Sequence, residues 1–391
     1  MVAYTEYVRD PRVRRYAEAL VDSGYSVDCF VLNEDGKSAI ENKNGVYLYH
    51  LPISQYRGDS NIAYIFSYFK FFFITLIKLS LKNRTKYSIV HIHNMPDFLV
   101  FTAILNKLYG AKIILDVHDI MPELYKAKFN SVFSNIVYWV LLFQEKLSCT
   151  FSNLIITVHI PYLEHLIKFH GLKREKTHVI VNCADTNLFD KSRFNTEKNG
   201  RIKSFKIIYH GTIAKRFGLN IVLKGIHSLI ENHPLIQFDI YGKGDGDEEL
   251  IDQISKLNLS NNVKYYGQVP LDSLPEKISE ADLGIVSYIS SEATDLMLPL
   301  KLMEYIAMGL PVLTVMNTSI NHYFNSDELE FYESEDPKSF SEKLNYLMSS
   351  SKRLNALRLK TDVINKRMNW EIEKNKYLNI INNNLIEVDL R

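Results

Sequence analysis

Residues 205–241 read FKIIYHGTIAKRFGLNIVLKGIHSLIENHPLIQFDIY and contain the pattern that decides the fold. Two short apolar runs, Phe205–Tyr209 and Ile236–Tyr241, flank a stretch of helical length, Leu219–Glu231. Buried parallel strands have this length and composition, and parallel neighbours need a crossover between them, usually a helix. The segment therefore predicts a strand–helix–strand unit, with a glycine-containing turn at residues 210–218, after the first strand.

The same alternation extends in both directions along the chain, which predicts two α/β units with doubly wound parallel sheets. The other predicted strands are Val27–Leu32, Val46–Leu51, Ile89–His93, Lys112–Val117, Leu154–Val158, His178–Val181, Val263–Tyr266, Leu283–Ser287 and Val312–Val315. The other predicted helices are Arg12–Ser23, Phe98–Tyr109, Glu248–Lys256, Leu271–Glu280 and Pro299–Met308.

A polar stretch, residues 185–204, separates the two series of strands and is predicted to join the domains. The first domain is expected to span residues 1–184 and the second residues 185–369. The last segment, 370–391, has a helical pattern and is expected to pack back on the first domain. In sheets of this kind ligands bind at the carboxyl ends of the strands, so the predicted sites face the gap between the domains.

Composition narrows the functional classes. The chain has 391 residues and a formal net charge of +1, which argues against a general nucleic-acid binder. Cys29, Cys149 and Cys183 are far apart and lack metal-ligand spacing, as expected of reduced thiols in a cytoplasmic protein. No signal peptide is recognisable, and there is no run of ~18 uninterrupted apolar residues, so a membrane-spanning helix is not expected.

Residues 61–96 contain no Asp or Glu, although lysines and aromatic residues alternate along them. The basic residues are Lys70, Lys78, Lys82, Arg84 and Lys86, and the aromatic ones include Phe66, Tyr68, Phe69, Phe71, Phe72 and Phe73. This pattern is typical of a helix that lies on an anionic membrane surface. A helix packed on the sheet, with lysines reaching out to water, is the alternative.

The clearest site signal is LMLPLKLMEYIAMGLPV, residues 296–312. Pro299 suits the first position of a helix and Gly309 its end, and the free N–H groups at such a helix start can hold a diphosphate. Lys301 and Glu304 share one helical face, where the carboxylate can accept hydrogen bonds from ribose hydroxyls. An ordinary surface Lys–Glu pair is the alternative. The turn at residues 210–218 adds a second anion-binding arrangement, with Lys215 and Arg216.

Taken together, the motifs resemble glycosyltransferase family 4, the retaining enzymes of the GT-B fold, and the resemblance covers nearly the whole chain. The matching segments in the first half are DPRVRRYAEALVDSGYSVD (10–28), VHIHNMPDFLVF (90–101), LDVHDIMPELY (115–125) and VIVNCADTNLF (179–189). Those in the second half are HGTIAKRFG (210–218), FDIYGKGDGDEEL (238–250), VKYYGQVP (263–270) and LPLKLMEYIAMGLPV (298–312).

The resemblance implies a donor site in the second domain and an acceptor site in the first. Arg216 is expected to contact the donor diphosphate, Glu304 the donor ribose, and His118 the transferred sugar. The other expected donor contacts are Gly211, Thr212, Lys215, Gly242, Val269, Asp295, Met297, Leu298, Pro299 and Lys301. The expected acceptor contacts are Arg12, Arg14, His93, Asn94, Asp97 and Asp119, with Glu123 nearby.

Two features depart from the family pattern. Leu296 stands where many relatives have a Glu that contacts the donor sugar. Replacement by Asp295 or Glu292 and absence of that role are the alternatives. The first strand of the family is central in its sheet, but only Met1–Thr5 are available here, and Glu6 and Tyr7 follow in place of a small-residue glycine turn. Either that strand is short or the true start lies upstream.

The predicted reaction is retaining transfer of a sugar from a UDP- or GDP-linked donor to a saccharide, in bacterial-type surface-polysaccharide synthesis. Residues 61–96 suggest a lipid-linked acceptor and a location on the cytoplasmic face of the membrane. Asp245-Gly246-Asp247 spells a metal-binding triplet but is interpreted as a loop and helix start, so no essential metal or other cofactor is expected. A sugar-nucleotide epimerase and a catalytically silent assembly partner are the alternatives.

Overall fold

The computed structural model describes residues 1–33, 39–54, 61–81, 85–128, 132–194 and 204–389. The chain divides into two compact units. Met1–Val181 and Glu371–Arg391 form unit 1, and Asn182–Trp370 forms unit 2. The sequence-based boundary after residue 184 falls a few residues later than this division. Part of the predicted linker, residues 195–203, lies outside the described residues.

Unit 1 contains a largely parallel sheet in two hydrogen-bonded parts, β3 lying between β1 and β2, and β4 to β7 following in chain order. The strands are β1 (Asp28–Leu32), β2 (Ile40–Lys43), β3 (Val46–Leu51), β4 (Ile89–His93), β5 (Lys112–Val117), β6 (Leu154–Thr157) and β7 (Thr177–Val179). Strand β2 alone runs antiparallel to its neighbour. Every residue of β1 and β6 is buried, which explains why apolar residues dominate both strands.

The N-terminal segment joins the two parts of this sheet. Val2 forms parallel bridges to Phe30 on one side and Ile92 on the other. The amide N–H of Val2 donates to the His91 carbonyl at 2.9 Å, and the amide N–H of Ala3 donates to the Phe30 carbonyl at 3.1 Å. The central strand expected from the family is therefore present in short form, and the backbone bonds that its absence would have removed are made.

In the described part of unit 1, six helices accompany the sheet, and the C-terminal helix, Trp370–Asp389, also belongs to this unit. They are α1 (Pro11–Asp22), α2 (Asn61–Leu76), α3 (Ile104–Leu108), α4 (Met121–Lys128), α5 (Val132–Phe151) and α6 (Ile160–His170). A π-helical turn, Ile77–Leu81, continues α2, and a 3₁₀ helix, Asp97–Ala103, precedes α3. Asp10 caps α1 because its side chain accepts from the Arg12 and Val13 amides.

The helical stretch Ala63–Leu81 corrects one expectation. Its 19 residues have a mean hydropathy of 1.5, so by length and composition it could cross a membrane, and 28% of it is buried. The polar residues within this stretch do not lower its mean hydropathy enough to exclude a span, although no uninterrupted apolar run of that length is present. Lys82 and Arg84, which belonged to the predicted membrane-surface stretch, lie outside the described residues.

Unit 2 contains a six-stranded, all-parallel sheet in the order β10-β9-β8-β11-β12-β13. Its strands are β8 (Phe205–His210), β9 (Ile236–Tyr241), β10 (Val263–Tyr265), β11 (Leu283–Val286), β12 (Val312–Val315) and β13 (Glu330–Tyr332). Its helices are α7 (Leu219–His227), α8 (Asp247–Lys256), α9 (Leu274–Glu280), α10 (Glu292–Asp295), α11 (Leu300–Ala307), α12 (Thr318–Tyr323), α13 (Pro337–Ser349) and α14 (Ser351–Arg367). From β8 the chain continues to β9 and β10 at one edge of the sheet, and from β11 it continues to β12 and β13 at the other edge.

Candidate active site

The strand order places a ligand-binding position in unit 2. Strands β8 and β11 are neighbours, yet the chain leaves them toward opposite edges of the sheet. Loops that follow two such strands diverge and leave a crevice at the carboxyl edge, where doubly wound sheets bind nucleotides. The loop after β8 is the predicted turn at residues 210–218, and the loop after β11 leads to helix α11.

A cavity of about 340 Å³ opens beside the loops that follow β8 and β9. Five of its lining residues are predicted donor contacts: Gly211, Thr212, Gly242, Val269 and Glu304. The other lining residues are His210, Tyr241, Lys243, Gln268, Leu271 and Leu274. The structure thus brings together residues that are up to 93 positions apart in sequence, from Gly211 to Glu304, around one opening.

Two glycines hold the walls of this cavity close together. A Cβ on Gly242 would lie 1.8 Å from the carbonyl oxygen of Gly211, and one on Gly244 would lie 1.9 Å from that of Ile213. Gly242 also has a φ of +141°, which side chains strongly disfavour. The Gly-Lys-Gly sequence is therefore required for the loop after β9 to pack on the loop after β8.

Glu304 lies in the second turn of α11, where only 6% of the residue is exposed. Its Oε2 lies 3.3 Å from Nε2 of His210, the last residue of β8. Burial, together with Lys301, lowers the pKa of His210 to about 3, so this imidazole is neutral at physiological pH. The carboxylate therefore reaches the cavity beside a neutral ring and is not neutralised by an imidazolium.

Two basic side chains lie beside the same aromatic ring. The Lys301 ammonium lies 3.6 Å from the ring centroid of Tyr209 and 5.1 Å from that of Phe217, while the Arg216 guanidinium lies 4.7 Å from the Phe217 centroid. Neither base forms an ion pair with a carboxylate in the part of the chain that the structure describes. Arg216 Nε is moreover buried without a hydrogen-bond partner among those residues. Two basic groups beside one ring, neither held by a carboxylate of the described residues, form a suitable environment for a diphosphate.

The pKa of Lys301 is also strongly perturbed. Burial lowers the pKa of its ammonium to about 7, and the neighbouring Glu304 only partly opposes that shift. Its Nζ lies beside the loop after β8, since a Cβ on Gly211 would be only 3.2 Å away. An anion bound at this position would restore the charge and would raise that pKa.

The loop before α11 is held by a residue that sequence reasoning missed. The side-chain amide of Asn317 donates to the carbonyls of Thr294 and Met297 at 2.8 and 2.9 Å, and its oxygen accepts from the Ile320 amide. These bonds fix residues 294–297 at the start of the predicted phosphate loop. A lone Asn after a strand gives no sequence signal for such a role.

Several predicted donor residues have other roles. Pro299 is the N-cap residue of α11, not its first residue, and the Met297 amide is already bonded to the Thr294 carbonyl. Both carboxylate oxygens of Asp295 accept from Thr318, so Asp295 secures the start of α12. Lys215 is exposed and lines a small separate pocket with Asn220 and Glu249. Leu298 is half-buried in the same loop.

The Asp245-Gly246-Asp247 triplet has the local structure that the sequence interpretation gave it. Helix α8 begins at Asp247, and Gly246 precedes it as the N-cap residue. The Asp247 carboxylate accepts from the Gly244 amide at 2.9 Å, and Glu248 and Glu249 follow in the first turn. Acids at this position are stabilised by the helix dipole.

In unit 1, the predicted acceptor residue Arg12 is buried instead. Its guanidinium donates to both oxygens of Asp116, at 2.7 and 3.0 Å, and to the carbonyl of Ile180 at 3.1 Å. The assignment of Arg12 to an acceptor phosphate is therefore wrong, because its donors are used inside the unit. Arg14, the other arginine predicted to meet the acceptor, is half-buried.

The loop at residues 93–97 is also internal. His93, Asn94 and Asp97 are 1%, 5% and 1% exposed, so their side chains are not available to an acceptor in this conformation. Asn94 instead accepts from the amides of His118 and Asp119 and donates to the Asp119 carbonyl. Burial, together with Glu145, raises the pKa of Asp97 to about 7. These three expected contacts are corrected to positioning or packing roles.

Among the predicted contacts of unit 1, His118 is partly exposed and can reach a ligand. It follows β5, with a side chain that is 16% exposed, and its Nδ1 lies 3.8 Å from Asp116 Oδ1. Burial lowers the pKa of His118, but Asp116 and Asp119 outweigh that effect and the pKa rises to about 8. The Asp119 side chain is 48% exposed. Glu123, by contrast, is buried against His165 at 2.9 Å.

His91, His93 and Asp116 are close enough together to suggest a metal centre. Asp116, however, already gives both oxygens to the Arg12 guanidinium. Burial lowers the pKa of both imidazoles, and His91 bonds to the Tyr377 hydroxyl at 3.0 Å. A cation bound there would have to displace a buried arginine, so the cluster fits a structural ion pair.

The fold and the site together define a two-domain α/β protein of the GT-B type. Residues 12–188 match the profile of Glycosyltransferase Family 4, and residues 190–361 match that of Glycosyl transferases group 1. The chain belongs to glycosyltransferase family 4.

Individual proteins resemble it more distantly. Chitobiosyldiphosphodolichol beta-mannosyltransferase of Candida glabrata is 22% identical over 92% of this chain and 86% of its own length. Spore coat protein SA of Bacillus subtilis is 23% identical over 88% and 87%. Among solved structures, sucrose-phosphate synthase of Thermosynechococcus elongatus has a TM-score of 0.74 at 16% identity, with 98% of both chains covered. Anabaena HepE bound to UDP-glucose has a TM-score of 0.68 at 14% identity, over 98% of this chain and 99% of that one.

Proposed function

We propose that the protein is a retaining glycosyltransferase that moves a sugar from a UDP- or GDP-linked donor to a saccharide acceptor. The observation that carries this function is the cavity of unit 2, where Glu304 lines the opening and the Lys301 ammonium approaches the lining residue Gly211. Arg216 shares the Phe217 ring with Lys301, and neither base has a carboxylate partner among the described residues. A nucleoside diphosphate carries the complementary groups, two ribose hydroxyls and a diphosphate.

Each group of the donor has a matching group in unit 2. The Glu304 carboxylate accepts from the ribose hydroxyls, while Lys301 and Arg216 neutralise the diphosphate as the glycosidic bond breaks. The uracil or guanine base lies near Val269 and Gly242, on the side of the cavity lined by Leu271. The donor is a substrate here, and no metal or other cofactor is included in the proposal.

Unit 1 supplies the acceptor side. His118 contacts the transferred sugar, with Asp119 nearby, because these partly exposed side chains follow β5 at the sheet edge. The acceptor is a lipid-linked saccharide of a surface-polysaccharide pathway, and the enzyme works on the cytoplasmic face of a membrane. The Candida glabrata relative, whose name specifies a dolichol-linked acceptor, supports this part of the proposal.

The first experiment is thermal stabilisation by UDP, GDP and ADP, without magnesium. One diphosphate at ~100 times its dissociation constant should add about 2.7 kcal/mol to the free energy of unfolding. Glu304→Ala and Arg216→Ala should abolish that gain, while Glu276→Ala, which removes an exposed acid of α9, should keep it.

The outcomes separate the candidate functions. A shift with one nucleotide, lost in both site variants, would identify the base. No shift with any nucleotide in a folded protein would refute the donor site and favour the silent partner. Conversion of one nucleotide sugar into another without acceptor would indicate an epimerase. The anomeric configuration of the product, read by NMR, tests retention, and an inverted product would refute that part.

A further inference from the structure

Unit 1 exposes apolar side chains along one face of helix α5, which the sequence analysis did not single out. Ile136, Trp139, Val140, Phe143 and Leu147 are 60%, 68%, 59%, 62% and 44% exposed. Their spacing of three or four residues places them on one side of the helix. Single exposed apolar side chains are ordinary, but five in one row on a helix form a patch of the kind that marks an interaction surface.

Helix α2 and its π-helical continuation carry a similar row. Phe66, Phe69, Phe73, Ile77 and Leu81 are 69%, 47%, 57%, 48% and 54% exposed and recur every three or four residues. The opposite side of the helix faces the protein, where Tyr68 and Phe71 are buried against Tyr4. The helix therefore buries one aromatic face and presents a second one to its surroundings.

One short element connects the two rows. Both α2 and α5 pack against the 3₁₀ helix Asp97–Ala103, and the ring of Phe98 stacks on Phe69 at 5.5 Å. At the other side, Phe101 contacts Phe151 at the end of α5, with ring centroids 5.1 Å apart. The two apolar rows thus flank the same element of unit 1. We define these rows together as the α2–α5 surface.

Charge identifies the partner of this surface. The described residues of α2, its continuation and α5 include only one acid, Glu145, and that side chain is 1% exposed. Lysines are present, since Lys70 and Lys146 are exposed and Lys78 is half-buried. Apolar rows with lysines and no exposed acid complement an anionic lipid surface, where each lysine adds attraction and each aromatic side chain inserts.

We propose that the α2–α5 surface docks unit 1 on an anionic bilayer, with both helices lying in the interface. This inference deepens the peripheral location proposed above and adds α5 as a second lipid-contacting helix. It rests on the exposure and charge of unit 1, so it stands or falls independently of the donor site in unit 2.

Trp139 provides a direct probe, because the chain contains only one other tryptophan, Trp370. In the full-length Trp370→Phe variant, vesicles of phosphatidylcholine and phosphatidylglycerol should shift the Trp139 emission to the blue and protect it from acrylamide. Pure phosphatidylcholine vesicles should do so far less. Unchanged emission with anionic vesicles would refute a role for α5.

Flotation with the same vesicles tests both helices. Phe143→Ser/Val140→Ser on α5 and Phe66→Ser/Phe73→Ser on α2 should each lower the vesicle-bound fraction by about tenfold. The matched control is Ile251→Ser/Leu359→Ser, which removes apolar residues that are 53% and 72% exposed on unit 2 and should change nothing. Nucleotide stabilisation should persist in all three variants, which separates this test from that of the donor site.

Two other results would overturn the inference. Loss of concentration-dependent self-association in the α5 variant, without loss of vesicle binding, would assign the surface to a second copy of the chain. Resistance of the membrane-bound protein to alkaline carbonate, with α5 variants still bound, would indicate that Ala63–Leu81 spans the bilayer instead.

Discussion

Asp116 in unit 1 and Glu304 in unit 2 are both buried carboxylates, but their surroundings give them different tasks. Asp116 is fully enclosed and accepts two hydrogen bonds from Arg12. Glu304 lines an open cavity beside a neutral His210, and the bases near it, Lys301 and Arg216, form no ion pair within the described ranges. A carboxylate enclosed with an arginine indicates a structural role, whereas a carboxylate that lines an opening, near bases without a carboxylate partner among the described residues, indicates a ligand site.

The largest expected effect breaks the balanced pair. Asp116→Ala leaves the Arg12 guanidinium buried without its carboxylate, which should lower the free energy of unfolding by about 3–5 kcal/mol. Urea denaturation measures this loss. Arg12→Met/Asp116→Leu removes both charges and should recover most of it. If Asp116→Ala had wild-type stability but no transferase activity, Asp116 would belong to the chemistry and the comparison would fail.

The next effect concerns the walls of the cavity. Gly242→Ala places a Cβ 1.8 Å from the Gly211 carbonyl oxygen at a φ of +141°, so strain of about 1–3 kcal/mol and displaced loops are expected. Calorimetry and nucleotide titration should both register the change. Gly267→Ala is the matched control, because its φ is +69° and nothing lies within 4 Å of the added atom. Equal losses in nucleotide affinity would show that backbone strain alone, and not the loop contact, matters.

Lys301 should make the nucleotide affinity of the unit 2 site depend on pH. Its pKa of about 7 in the free protein should rise when a diphosphate binds, so binding takes up a proton. Below pH 7 the ammonium is charged in both states and affinity should be constant in this respect. Above pH 7 affinity should fall by about tenfold per unit until the pKa of the complex is reached.

Isothermal titration in two buffers of different ionisation enthalpy would measure that proton uptake. Lys301→Arg keeps the charge at every pH, so the decline above pH 7 should disappear. A decline of equal slope in this variant would mean that another group takes up the proton, and the diphosphate would then have to be placed elsewhere.

Much of the fold was predictable because the strands are buried on both faces. Strands such as β9 and β12 have the predicted bounds, since short runs dominated by apolar residues are a strong signal. Strands β2 and β13 were missed. Ile40–Lys43 has one apolar residue and is positioned by antiparallel pairing with β3, which only the folded structure reveals. Glu330–Tyr332 is too short to show a pattern.

The candidate site was predictable only where a motif keeps its residues together. Lys301 and Glu304 share a helix, so their relation follows from the spacing of three. Arg12 and Asp116 are 104 residues apart, and nothing in the sequence shows that they neutralise each other. The Tyr209 and Phe217 rings beside the bases, and Asn317 beneath the loop, depend in the same way on distant segments meeting.

The smallest expected effect tests whether the acids near the cavity have a structural role, as Asp116 does, or bind a ligand, as proposed for Glu304. The Asp247 carboxylate accepts from the Gly244 amide, so Asp247→Ala should cost about 1 kcal/mol, the usual net value of one hydrogen bond. Asp245→Ala should cost less, because Asp245 precedes the helix and its first-turn acids. Neither variant, nor addition of a chelator, should change the stabilisation by nucleotide, measured by thermal melts with and without manganese. Nucleotide binding could instead be lost in both variants and also in the wild type after chelation. That result would place a cation beside the diphosphate, and the positive charge there would come from a metal as well as from Lys301 and Arg216.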